Sequence, residues 1–232
     1  MQQPAEFDKF ARDYRDIHNE NIKFTGGSSD YFAEYKIELT RRIAGKLPVN
    51  QILDLGCGDG LSDFFFRSYF PDAAISGIDP SVESIQQAVQ RNIPACTFAS
   101  YDGSNIPFPE KSFDLIFLSC ILHHVPADQH SSLLAECCRV LRPGGMIFIF
   151  EHNPLNPVTR KIVRDCEFDA DAVLITSGNL RKLFRRQPLH KIRVKFTLFL
   201  PRHRYFTWLL GIENWLRWIP LGGQYVIYAS RN

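Results

Sequence analysis

Three histidines stand where buried strands should end, His123 and His124 after the apolar run 115–118 and His152 after the run 146–150. An imidazole titrates near neutrality and can take a proton from a hydroxyl nucleophile, so each is a candidate general base. Three acids invite a different chemistry. Asp54 lies inside the apolar run 52–55, where an ionised carboxylate is costly unless it meets donors or a cation; a ligand ammonium group would satisfy it. Gly56, Gly58 and Gly60 follow. Without a Cβ, their backbone can reach positive φ and lie against a ligand, and the first N–H groups of the next helix remain free to donate. Asp79 ends the next apolar run, about twenty residues beyond the turn, where an acid in a doubly wound fold receives ribose hydroxyls. These residues describe a site for an adenosine-type ligand.

The dinucleotide fingerprint requires a third glycine three positions after the second, and Leu61 stands there. The run Asp-Leu-Gly-Cys-Gly-Asp-Gly at 54–60 instead resembles the first motif of the class I S-adenosylmethionine-dependent methyltransferases, and the chain is similar to their small-molecule, quinone-biosynthesis group. The resemblance covers nearly the whole chain and is specific from Gln51 to Glu151. It implies an α/β fold: a doubly wound, mostly parallel seven-stranded sheet of the Rossmann-like methyltransferase type, with an antiparallel last strand and an N-terminal helical lid. It also implies S-adenosylmethionine as cofactor and S-adenosylhomocysteine as product. On the same basis Asp54, Gly56, Cys57 and Gly58 hold the methionine end, joined by Tyr14 from the lid. Asp79 with Pro80 holds the ribose, Asp102 with Gly103 the adenine, and Ser119 completes the cofactor-binding set. His123, His124 or His152 would remove a proton from a hydroxyl acceptor. Two other readings remain open: a nicotinamide-dependent oxidoreductase, opposed by Leu61 and Asp54, and a catalytically silent cofactor-binding module.

Positioning these residues takes an alternation of strands and helices. Helices are expected at 7–19 and 30–44, the second capped by Ser28 or Ser29, with Gly26 and Gly27 as hinges. Strand 51–55 leads into helix 61–69, whose Phe64, Phe65 and Phe66 cannot all point one way. Strand 74–78 and a helix from Ser81 to Arg91, with Val82, Ile85 and Val89 on its buried face, come next. Strands 96–99 and 113–118, helix 131–141, a turn at 142–145 and strand 146–150 complete a βαβ series that signals a parallel sheet. Beyond it lie helices 156–164 and 176–184, strand 191–200, and a helix 205–219 that holds all three tryptophans. Gln224 to Ser230 alternates like an edge strand. One domain is expected, read as a lid (1–46), a cofactor-binding core (47–151) and a substrate-side region (152–232).

Composition narrows the classes. Hydrophobic residues make up 45% and charged residues 22%, ordinary for a folded globular chain. No apolar run approaches the roughly 18 residues of a membrane span, and Met1–Phe10 lacks a signal-like apolar core; a cytoplasmic location is expected. The six cysteines show no Cys-x-x-Cys spacing, so neither a zinc nor a disulfide framework is signalled. No metal is expected, because no acidic cluster of recognisable spacing accompanies the histidines. The net charge of +2 hides an asymmetry, for 181–232 carries eleven Lys or Arg against the single acid Glu213. That excess suits an acidic membrane surface or an anionic substrate. A nucleic acid fits less well, since no stacking motif is present. The partner expected is a small-molecule acceptor.

Overall fold

The computed structural model describes residues 27–166, 169, 171–199, 216 and 218–232. Tyr14, the expected helix 7–19 and most of the Trp-rich segment lie outside the described residues; Trp218 is exposed. Seven strands form one sheet: β1 (Gln51–Leu55), β2 (Ala74–Asp79), β3 (Cys96–Ser100), β4 (Phe113–Ser119), β5 (Leu141–His152), β6 (Leu189–Thr197) and β7 (Gln224–Arg231), in the order β3-β2-β1-β4-β5-β7-β6. β1 pairs in parallel with β2 and β4, and β4 with β5, whereas β7 runs antiparallel to both β5 and β6. Three readings differ from expectation. The strand expected at 191–200 runs from Leu189 to Thr197 as β6. β7 is not the edge but lies between β5 and β6, so the edge strand is β6. The turn expected at 142–145 belongs to β5, which pairs through Leu141 and again from Met146, with the register shifting between.

The central strands are apolar on both faces, as parallel strands covered by helices must be. Ile52, Leu115, Phe117, Phe148 and Phe150 face one layer, formed by α1 (Ser29–Ala44) and α2 (Leu61–Tyr69). Leu53, Leu55, Ile116, Leu118, Ile147 and Ile149 face the other, which includes α4 (His130–Val140) and α6 (Ser177–Phe184). Phe66 is wholly buried beside Phe117, Phe65 is partly buried, and Phe64 points to solvent. The helix α3 (Val82–Gln90) corrects its expected face: Ser84, Ile85 and Ala88 are buried, and Val82 and Val89 are exposed. The cause is steric. A Cβ on Gly60 would lie only 3.1 Å from the Ala88 Cβ, so α3 approaches the glycine turn through small residues that a valine would hold off.

Among the described residues, four of the six helices, α1, α3, α5 (Pro157–Asp165) and α6, begin on a side-chain cap. Ser28 caps α1 by accepting from the Tyr31 amide, and Asn156 caps α5 by accepting from the amides of Val158 and Thr159. Between β4 and α4 the chain makes a short 3-10 turn, Leu122–His124.

Candidate functional site

At the C-terminal end of β1 the glycine turn is tied to the neighbouring strand. The amides of Gly56 and Cys57 donate to the Ile78 carbonyl at 2.8 and 3.2 Å. The Gly58 amide donates to Asp79 Oδ2 at 2.9 Å, and the Ser81 amide to Asp79 Oδ1 at 2.8 Å. Gly56 is needed at its position, since its φ is +77° and a Cβ would lie 2.6 Å from Ile121 Cγ2. At Gly58, a Cβ would meet nothing within 4 Å, so the turn is open on that side. Pro80 is exposed and Cys57 is buried beneath.

Under the turn, Asp54 and Asp63 are both buried and none of their carboxylate oxygens meets a donor. Burial, then the neighbouring Asp63, pushes Asp54 well above the usual carboxylate range; burial brings Asp63 to about 7. A proton shared between the two is the hydrogen bond this pair can make. Two buried acids at the end of a glycine turn fit a cationic ligand end, and the open face at Gly58 leaves room for it. These are the features that a methionine-type cofactor requires. Asp102 is exposed and closes its own turn, accepting from the amides of Ser104 and Asn105 at 2.8 Å each and from Asn105 Nδ2 at 3.2 Å. These bonds hold its carboxyl below the usual range. Gly103, beside it, adopts a φ of +80°.

The ends of β4 and β5 bring a second group together. Lys36 of α1, buried among apolar neighbours, donates from Nζ to Ser119 Oγ at 2.8 Å and to Cys120 Sγ at 3.4 Å. Gln224 Nε2 donates to the same sulfur at 3.5 Å. Burial raises the Cys120 thiol, but Lys36 and His152 outweigh it and bring it down to about 7. His123 is 2% exposed, its Nδ1 is 2.6 Å from Glu151 Oε2, and Glu151 Oε1 accepts from the Leu122 amide at 2.8 Å. Burial opposes charge on His123, yet Glu151 and Asp169 raise it to about 10. Asp169 Oδ1 stands 3.3 Å from His124 Nε2 and 3.6 Å from His123 Nε2. The His123 ring centroid is 4.2 Å from that of His124 and 5.2 Å from that of His152.

The fold therefore draws the expected residues into two groups: Asp54, Gly56, Cys57, Gly58 and Asp79 at the glycine turn, and Ser119, His123, His124 and His152 at the ends of β4 and β5. Asp102 and Gly103 stand on a separate loop after β3. Lys36, Asp63, Cys120, Glu151 and Asp169 were not singled out from the sequence. Lys36 carried a signal, a cation on the apolar face of α1 beside Ala33, Ile37 and Thr40. Asp169 carried none, because its partners are distant in sequence.

A sheet ordered 3-2-1-4-5-7-6 with a glycine turn after β1 and an acid ending β2 is the arrangement of Rossmann-like methyltransferases. Residues 52–145 match the family model described as a methyltransferase domain. It is 30% identical over 151 residues to 27-O-demethylrifamycin SV methyltransferase of Amycolatopsis mediterranei (strain S699), covering 61% of this chain and 54% of that protein. It is 29% identical over 136 residues to trans-aconitate 2-methyltransferase of Methylobacterium nodulans, covering 57% and 51%. The chain spans about half the length of these curated relatives. Among solved structures, a methyltransferase in complex with the Haloferax volcanii Trm112 methyltransferase activator superposes with a TM-score of 0.70 at 21% identity, over 99% of each chain. Phosphoethanolamine N-methyltransferase 2 of Haemonchus contortus, bound to S-adenosyl-L-methionine, gives 0.68 at 16% identity, over 98% of this chain and 60% of that one. These two likenesses are of fold. No helix among the described residues is long and apolar enough to cross a membrane.

Proposed function

We propose that this protein transfers the methyl group of S-adenosylmethionine to an oxygen of a small, anionic acceptor. The observation that carries the reading is the pair of buried acids without donors, Asp54 and Asp63, beneath a glycine turn locked to Asp79. When bound, S-adenosylmethionine supplies a methyl carbon already activated by its sulfonium, so the chain's task is to bind and orient. Asp54 and Asp63, sharing one proton, leave one negative charge between them for the cationic end, Asp79 at the end of β2 faces the ribose hydroxyls, and Asp102 the adenine amine. Tyr14 belongs to this reading as the lid residue at the methionine end.

On the acceptor side His152, partly exposed at the end of β5, takes the proton from a hydroxyl. His123 is committed to Glu151 and orients the rim rather than exchanging protons with an acceptor. An open pocket of about 430 Å³, lined by Arg160, Lys161, Arg164, Asp169 and Leu174, shares Asp169 with the histidine cluster. Its guanidinium groups suit an acceptor carboxylate or phosphate. The names of two relatives, trans-aconitate 2-methyltransferase and fatty-acid O-methyltransferase, agree with an anionic acceptor and with oxygen as the target.

The test is calorimetric titration with S-adenosylhomocysteine, wild type beside Asp79→Ala. Micromolar binding that weakens at least about tenfold in the variant, the effect of about 1.4 kcal/mol of lost charged hydrogen bonds, supports the site and justifies labelled methyl transfer onto candidate acids. A folded wild type that does not bind refutes the reading.

A further inference from the structure

We propose that His123, His124 and Asp169 form a binding site for a divalent transition-metal cation of the zinc class, opening onto the acceptor cavity. Three donor groups converge there: His123, His124 and Asp169 each offer one ligand atom, and these atoms all lie within 4.8 Å of one another. Asp169 Oδ1 stands 3.6 Å from one nitrogen and 3.3 Å from the other. Both distances exceed the roughly 2.7–2.9 Å of a charge-assisted hydrogen bond. They match another geometry, since ligands about 2.0–2.1 Å from a tetrahedral ion lie roughly 3.3–3.4 Å apart.

The surroundings are those of ligands held in place. His123 uses Nδ1 on Glu151 at 2.6 Å, while the second oxygen of Glu151 accepts from the Leu122 amide. A carboxylate behind one imidazole nitrogen orients the ring and leaves the other nitrogen to the metal. Neighbouring histidines on an extended strand would point to opposite faces. Here the 3-10 turn Leu122–His124 brings their rings to 4.2 Å. His130 pins that turn, its Nε2 lying 2.9 Å from the Leu122 carbonyl and 2.8 Å from that of Val125. The Val173 amide donates to the His123 carbonyl at 2.8 Å, fastening the chain that carries Asp169 to the same turn.

Two imidazoles and one carboxylate suit zinc, nickel, cobalt or iron rather than magnesium or calcium, which take oxygen donors. Asp169 also walls the acceptor cavity, and the His124 side chain is 21% exposed. Three protein ligands with one position facing a cavity is the layout of a metal that receives water or a substrate oxygen. This departs from the sequence expectation of no metal, which found two adjacent histidines and no third ligand at a recognisable spacing.

The experiment strips the full-length protein with a chelator and titrates it with Co²⁺, read by visible absorption and by equilibrium dialysis, with S-adenosylhomocysteine calorimetry in parallel. One equivalent of Co²⁺ should bind and be displaced by Zn²⁺. Asp169→Asn and His124→Gln should each lose more than about tenfold in affinity, and Glu151→Gln, acting from behind the ligand, about 10–100-fold. His124 is the more exposed residue, so His124→Gln decides the matter if Asp169→Asn does not fold. A wild type that takes up no Co²⁺, or an affinity unchanged in the folded variants, overturns the proposal. Protein that binds S-adenosylhomocysteine but takes up no Co²⁺ refutes the metal site and leaves the methyl-transfer reading standing; the converse result does the reverse.

Discussion

At the scale of the residue, Cys120 is the side chain whose reactivity its neighbours alter most usefully. A thiol brought to about 7 is roughly half thiolate at neutral pH, and the thiolate is the nucleophile. Cys57, Cys96, Cys137 and Cys138 are all raised by burial. Brief alkylation at pH 7 followed by peptide mass mapping should therefore modify Cys120 ahead of these four, and Lys36→Met should slow it by removing the cation. Asp63 supplies a pH signature of opposite sense from an ordinary acid. Its folded value of about 7 lies above the 3.8 of a free side chain, so the protonated form favours the fold. That contribution is complete below about pH 4 and lost as pH climbs through about 7. Asp63→Asn, whose amide can donate to Asp54, should raise the melting temperature at pH 8 by about 5 °C. The gain should shrink towards pH 4. Neither residue was visible in the sequence as more than composition: Cys120 depends on a lysine from another helix, and Asp63 on facing Asp54 across the turn. The glycine turn and Asp79 were legible because strand, turn and following strand are consecutive, so their spacing is their geometry.

At the scale of the element, β4 is the strand on which both layers depend. Phe117 stands edge-on to Phe66 at 5.1 Å and is tilted against Phe150 at 5.5 Å. Phe117→Ala should cost about 3–5 kcal/mol in urea unfolding, because the sheet around it cannot collapse into the gap. A loss below about 1 kcal/mol would show that the layer repacks. Most helices and strands were legible to within a residue or two, since caps such as Ser28, Asn156 and Thr176 and the apolar runs are local signals. The buried face of α3 was not, because its packing is decided by clearance against Gly60, to which Ala88 contributes smallness rather than hydrophobicity. The position of β7 was not either, for alternation reports which face is wet but not which strands lie on either side.

At the scale of the whole molecule, the two apolar layers share every central strand. We propose that lid, core and substrate side unfold together despite their separate tasks. Calorimetry and far-ultraviolet circular dichroism should then give one coincident thermal transition, displaced upward by saturating S-adenosylhomocysteine. Two resolved transitions would divide the chain near the end of β5. What sequence pattern could not convey at this scale was convergence, as in Asp169 meeting the histidines of the 3-10 turn.

The insertion of β7 between β5 and β6 also constrains the order of assembly. Its residues Gln224 to Ser230 pair with His152 to Met146 on one side, and Gln224 to Arg231 with Thr197 to Leu189 on the other. Neither neighbour can complete its hydrogen bonds until this late segment arrives from far along the chain, and such long-range closure is slow. Until then β5 presents an apolar strand with one side unpaired, the kind of edge that recruits other chains. During synthesis the protein thus passes through a window of vulnerability to self-association that closes only when β7 pairs.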